Sequence, residues 1–282
     1  MKIVLIALSL ALLAASPLFA QESDTALCNH IFSYAFEHKL IEKPIAEITS
    51  AIAQRFIGKP YEANTLDKPD REILVTNLHS FDCVTLIENV LALARCVRKN
   101  LLSFDAYAAE LRYIRYRGGK LNGYTSRLHY FGEWVYDNDR KGVVQNVSRQ
   151  YGGIDTSKKI DFMTTHRKSY RKLAADSLYN AIAAVEKSLA GLDLLYVPKD
   201  KISSIERLLH DGDVIAFTTS VKGLDVSHTG FAIHNASGEL HLLHAPDVGD
   251  TVKISQETLS AYVGKNPKNS GIIIARPVDI IY

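Results

Sequence analysis

Apolar residues recur at helical spacing over 25–58: Ile31, Tyr34, Ala35 and Leu40 share a face, and Ile45, Ile48, Ile52 and Phe56 resume it after Pro44. A polar loop, 59–72, carries Pro60 and Pro69, and a short apolar run, 73–78, leads into Phe81-Asp82-Cys83. From Val84 the pattern turns strongly helical, with Leu86, Ile87, Val90, Leu91, Leu93 and Ala94 forming a wide apolar face through Cys96. A further helix over 104–116 has Asp105 near its start and Gly118-Gly119 beyond its end, as helix termini prefer. Residues 117–172 are rich in Gly, Tyr, Asn, Arg and Lys with weak periodicity, and read as a substrate-shaping insertion with some local structure. One more helix covers 174–189.

The last third changes period. Strands are predicted at 213–218, 226–234, 239–244 and 272–276, with Ala236-Ser237-Gly238 as a hairpin turn between the second and third. Helices first and antiparallel strands later make this an α+β layout rather than alternating βαβ units.

The first twenty residues do not belong to that pattern. Lys2, an apolar run from Ile3 to Ala15, then Ser16, Pro17 and Ala20 before Gln21-Glu22-Ser23-Asp24 read as a secretory signal peptide over 1–20. The run is too short for a membrane span, which needs about 20 apolar residues, and no later segment is apolar for long enough. The expected mature chain, 21–282, is a single soluble domain outside the cytoplasm, in a periplasm. With 282 residues, 47% hydrophobic, 23% charged and a net charge of +2, the chain can bury a large core but is too mildly basic to argue for nucleic acid.

Export gives the three cysteines a setting where disulfides form, and an odd number leaves one thiol over. Cys28 and Cys96, both on predicted helices, are open to a disulfide or to two free thiols. Cys83 sits where a loop meets a helix N-terminus, whose dipole and unpaired N–H groups favour a thiolate and an oxyanion. Such a sulfur needs a base. In an antiparallel hairpin the start of the first strand lies beside the end of the second, so His228 and His244 are predicted neighbours, with His228 facing the sulfur and His244 orienting the His228 imidazole. Alternation sends His241 to the opposite face, and His234 lies at the far end of its strand.

These residues resemble a known family. Asp82-Cys83 at a helix start, Ser227-His228-Thr229-Gly230 and Leu243-His244-Ala245-Pro246 are similar to the NlpC-type cell-wall cysteine peptidases, which have a papain-like α+β core and a Cys-His-His site. Gly58-Lys59-Pro60-Tyr61, the run from Phe81 to Glu88, Ser126-Arg127-Leu128-His129-Tyr130-Phe131 and Trp134 look closest to the N-acetylmuramoyl-L-alanine amidase-like branch. The resemblance implies Cys83, His228 and His244 as catalytic residues, no cofactor and no metal, and peptidoglycan or muropeptide fragments as partners. It implies cleavage between N-acetylmuramic acid, in ordinary or anhydro form, and L-Ala through a thioester. Many endopeptidases of the superfamily carry Ser and Gly after the Asp-Cys pair to hold a free amine; Val84 and Thr85 stand there instead.

Candidate substrate contacts are Asp82 (structural or pocket-lining), Tyr61 near the sulfur, Ser227, Arg127 for a carboxylate, and Tyr130 and Trp134 for a sugar face. The alternatives are a γ-D-glutamyl-diamino acid endopeptidase, a zinc hydrolase using His228 and His244, and a non-catalytic wall-binding module. A zinc site needs a third ligand at a suitable spacing, and the motifs supply none.

Overall fold

The computed structural model describes residues 22–155, 158–192 and 194–280, so the expected signal peptide lies outside the described residues. The helices are α1 (Asp24–Glu37), α2 (Ile45–Gln54), α3 (Cys83–Lys99), α4 (Phe104–Arg115), α5 (Phe131–Arg140), α6 (Phe162–Thr165), α7 (Asp176–Leu189), α8 (Ile202–Ile205) and α9 (Leu259–Gly264). The strands are β1 (Val144–Asn146), β2 (Ile154–Asp155), β3 (Leu195–Pro198), β4 (Val214–Thr219), β5 (Val226–His234), β6 (Leu240–His244), β7 (Lys253–Ile254) and β8 (Asn269–Pro277). They form one antiparallel sheet in the order β2-β3-β8-β4-β5-β6-β7, with β1 also on β8. This is the α+β layout expected from the sequence. Among the described residues no helix is long and apolar enough to cross a membrane.

Alternation along the central strands fills two cores. Val214 and Ala216 of β4, with Phe231 and Ile233 of β5, pack on the side of α1 to α5. Ile215 and Phe217, with Ala232 and Leu242, pack on the other side beneath Ile202, Ile205, Leu259 and Val263. Period two divides each strand between the layers, so strands buried on both faces read as nearly continuous apolar runs.

Helix α3 is buried along most of its length because it lies between the sheet and the other helices. Two buried polar contacts fix its rotation. Arg115 Nε donates to Glu88 at 2.6 Å and its guanidinium also reaches the Val75 carbonyl, so the buried charges are paired. Asn89 donates to the Thr85 carbonyl at 2.6 Å and accepts from the Tyr107 hydroxyl.

Within the stretch 117–172, expected to be a substrate-shaping insertion with some local structure, part joins the main fold. Strand β1 pairs with β8, Val144 opposite Pro277, and α5 contributes Phe131, Trp134 and Val135 to the main core. That part of the region is scaffold. The remainder, with Tyr124, Tyr130 and Met163, packs against α7 in a third apolar cluster that borders the candidate site.

Candidate active site

Asp82 determines where α3 begins. Its Oδ1 accepts the Val84 and Thr85 N–H groups at 3.0 and 2.7 Å, while Thr85 Oγ1 accepts the Asp82 N–H at 2.9 Å. This capping box places Cys83 in the first turn. Thr85 thus has a structural use. Of the candidate roles for Asp82, the geometry shows the structural one directly: its Oδ1 makes the cap.

Cys83 is half-buried, whereas Cys28 and Cys96 are fully buried, and all three are free thiols. Cys83 lines a cavity of about 250 Å³ together with Ser227, His228, Thr229, His129 and Tyr130. Strand β5 reaches α3 through Thr229, whose hydroxyl donates to the Cys83 carbonyl at 2.8 Å. The register of β5 on β4 shifts after the Phe217–His228 pair, with Thr218 facing Val226, so Ser227 is the extra residue. Such bulges re-aim neighbouring side chains. Ser227 itself hydrogen-bonds the Phe217 carbonyl and Asn269 Oδ1.

The two histidines meet. Phe231 pairs with Leu243, and continuing that register puts His244 across from Gly230, diagonal to His228 on one face. His228 Nε2 and His244 Nδ1 are 2.8 Å apart. A Cβ at Gly230 would come within 2.7 Å of Leu242 and 2.8 Å of the Leu243 carbonyl, so glycine allows this close approach. The rings of Phe217 and Tyr262 enclose the pair: Phe217 lies 5.5 Å from His228 and Tyr262 5.0 Å from His244, centroid to centroid. His241 instead bonds the Ser255 carbonyl, and His234 bonds Asp211.

Burial governs the electrostatics. Loss of solvent lowers the pKa of His228 to about 4, partly offset by Asp247, and that of His244 to about 3, reinforced by His228. Burial and the Asp82 charge raise the Cys83 thiol to about 12, against hydrogen bonding from Thr229. The sequence predicted a lowered thiol pKa from the helix terminus; desolvation outweighs that effect. The resting pair is therefore a neutral thiol and a neutral imidazole.

Two recognition candidates need correction. Trp134 is fully buried and stacks on Phe131 with centroids 4.8 Å apart, so its ring is core and offers no face to a sugar. Arg127 is also buried, ion-paired with Asp67 and Glu72 and lying over the Tyr124 ring, so its charge is already neutralised. Tyr130 does line the cavity, but its hydroxyl is committed, donating to Glu186 at 2.6 Å and accepting from the Met163 N–H. Tyr61 is held near Cys83 by backbone pairing of 60–62 with Phe81, and burial, reinforced by the Asp82 charge, raises its phenol to about 12.

The sequence reading passed over His129 and Asp225. His129 is hydrogen-bonded to the Tyr124 carbonyl and kept neutral by burial, which lowers its pKa to about 3. Asp225 accepts the Gly132 N–H at 2.6 Å. His129 lay inside a quoted motif, but nothing in the spacing brought either residue to the cavity. Among the described residues no three His, Cys, Asp or Glu side chains gather as a metal site.

Comparison with known proteins matches residues 51–272 to the model of the AmiA-like family, described as N-acetylmuramoyl-L-alanine amidase-like. Among solved structures, the chain is similar to an N-acetylmuramoyl-L-alanine amidase from Bacteroides uniformis at 34% identity and a TM-score of 0.78, covering 83% of this chain and 99% of that one. A putative xylanase from Bacteroides fragilis is similar at 35% identity and a TM-score of 0.75, covering 80% and 99%. A Legionella pneumophila protein at 20% identity and a TM-score of 0.66 shares the fold. The search of curated proteins gave no match. The matched span takes in α3, the β5–β6 hairpin and both histidines, and on that span the chain belongs to the AmiA-like, N-acetylmuramoyl-L-alanine amidase-like family.

Proposed function

We propose that this protein is an exported, papain-like cysteine amidase of the NlpC type that cuts the bond between N-acetylmuramic acid and L-Ala in peptidoglycan or its fragments. Family membership supports a peptidoglycan amidase in general. The observation that carries the cysteine mechanism is the 2.8 Å contact between His228 Nε2 and His244 Nδ1 beside a cavity that Cys83 and His228 share.

The contact supports one assignment of the nitrogens. With Nε2 committed to His244, Nδ1 is the atom of His228 left to exchange a proton with Cys83. For Nδ1 to act as a base, Nε2 must carry the proton and donate it to His244 Nδ1, which places the proton of His244 on Nε2, buried without a hydrogen-bond partner. His244 is a positioning residue that fixes the tautomer and the ring plane.

Starting from a neutral pair, the thiol proton passes to His228 as Sγ attacks the lactyl carbonyl carbon. The Sγ–C bond forms and the carbonyl π electrons move to oxygen. The Val84 and Thr85 N–H groups are used by the Asp82 side chain and that of Leu86 by the Asp82 carbonyl, so the Cys83 N–H is the first-turn amide left for that oxyanion. Collapse breaks the C–N bond, and imidazolium protonates the departing L-Ala amine. Water, deprotonated by His228, then hydrolyses the thioester, releasing the muramic acid carboxylate and restoring the thiol.

Digestion of purified muropeptides followed by mass spectrometry tests this reading. The expected product is an intact stem peptide with a free L-Ala amine; cleavage within the stem would make the protein an endopeptidase instead.

The pH dependence follows from burial. A general base works when neutral, so an imidazole with a pKa near 4 stays competent down to that pH, and activity falls as pH drops through it. An unperturbed histidine would lose activity near pH 6.5. The acid limb of kcat/KM is expected between about pH 4 and 5, and a limb near 6.5 would show that the ring is solvated during the reaction.

A further inference from the structure

Ser227 and His228 line two cavities. One is the Cys83 cavity; the other, of about 320 Å³, is bounded by Phe217, Pro246, Tyr262, Lys265, Asn266 and Asn269 and does not include Cys83. Resting on the amidase reading above, we propose that this second cavity receives the departing stem peptide, with Lys265 as the counter-charge for the α-carboxylate of its second residue, D-Glu.

The order of bond changes separates the two halves of the substrate. The acyl half stays bonded to Cys83 Sγ through the thioester and must occupy the cavity that contains the sulfur. The amine half takes its proton from His228 and has no bond to Cys83, so it belongs where His228 is wall and Cys83 is not. The ridge Ser227-His228 then lies beneath the scissile bond.

The second cavity is braced and bears donors. Asn269 fixes the ridge, accepting from Ser227 Oγ at 3.1 Å while its own amide donates to the Val263 carbonyl at 3.1 Å. Asn266 Oδ1 accepts the Lys268 N–H at 3.0 Å, leaving its NH₂ to donate. Lys265 lies 5.7 Å from the Tyr262 ring centroid and pairs with Glu257. An ammonium has three donors, so that one pairing leaves capacity for a substrate carboxylate. Lys265 is exposed, and the effect of its charge is correspondingly moderate.

The test compares N-acetylmuramoyl-L-Ala-D-Glu with N-acetylmuramoyl-L-Ala-D-isoglutamine, which differ in one carboxylate against a carboxamide. Wild type is expected to favour the acid in kcat/KM by about 3- to 10-fold. Lys265→Gln should abolish that preference and Lys265→Glu should invert it. A preference that persists in Lys265→Gln, or that is absent from wild type, overturns the proposal. Calorimetry on Cys83→Ala protein with free L-Ala-D-Glu and L-Ala-D-isoglutamine needs no turnover. The same Lys265-dependent discrimination is expected there, and equal affinities overturn the assignment of the cavity. Failure of wild type to cleave any muropeptide would overturn the amidase reading instead, leaving the binding comparison to decide the ligand of the cavity.

Discussion

Replacing Cys83 by alanine is expected to lower kcat for muropeptide cleavage by about 10⁴-fold or more, because the bond-forming atom is gone and no neighbour can take over its role. The fold should survive. The capping box is made by the carboxylate of Asp82 and the side chain and N–H of Thr85, none of which the substitution removes. The Thr229 hydroxyl bonds the Cys83 backbone carbonyl, which alanine keeps. A melting temperature within a few degrees of wild type, together with lost turnover, separates a chemical role from a structural one. Cys83→Ser is the stricter test: the hydroxyl is nearly isosteric, but its proton is harder for a weakly basic His228 to remove, so activity should remain low. The background is clean, since Cys28 and Cys96 are buried and burial raises both thiols to about 12. Retention of substantial activity by Cys83→Ala would discard the thioester and return the two histidines to the other readings.

Parts of this arrangement were legible in the sequence because their signals are local. The apolar face of α3 runs over several turns, and Asp82 stands at its start with Thr85 three residues on. The hairpin is also local: Val226–His234 alternates, Gly238 turns the chain with φ 80°, and antiparallel pairing then dictates that His228 and His244 approach. The short strands β1, β2 and β3 left little trace, since their pairing is made by backbone atoms whose partners lie far along the chain, and β7 is only two residues long, too short to show an alternation. Arg127 illustrates the same limit. As a residue type it suits a carboxylate ligand, but its carboxylates turn out to be Asp67 and Glu72, some sixty residues earlier. Trp134 sits in a polar-looking stretch, and only the docking of α5 on the main core shows that its ring is inside. The thiol pKa failed for a different reason: a helix terminus is visible in sequence, whereas the degree of burial opposing it is a property of the assembled fold.

His228→Ala is expected to reduce kcat by about 10³- to 10⁴-fold, from two losses at once. The neutral thiol no longer has an acceptor for its proton, and the leaving amine no longer has a donor. Because burial keeps Cys83 protonated well above neutral pH, hydroxide in solution cannot substitute until the pH is high, so residual activity should climb with pH rather than form a plateau. If His244 acts only through His228, as proposed, its variants should separate accordingly. His244→Ala removes the acceptor that holds Nε2 and is expected to cost about 10²-fold in kcat with little change in KM. A carboxamide in its place can still accept that N–H, so His244→Asn should recover part of the loss. The double variant His228→Ala/His244→Ala should be no slower than His228→Ala alone, since residues that act as one unit are not additive. Additive losses would mean that His244 reaches the substrate independently of His228. Equal losses from His244→Ala and His244→Asn, with wild-type stability in both, would mean that the 2.8 Å contact does not orient the base.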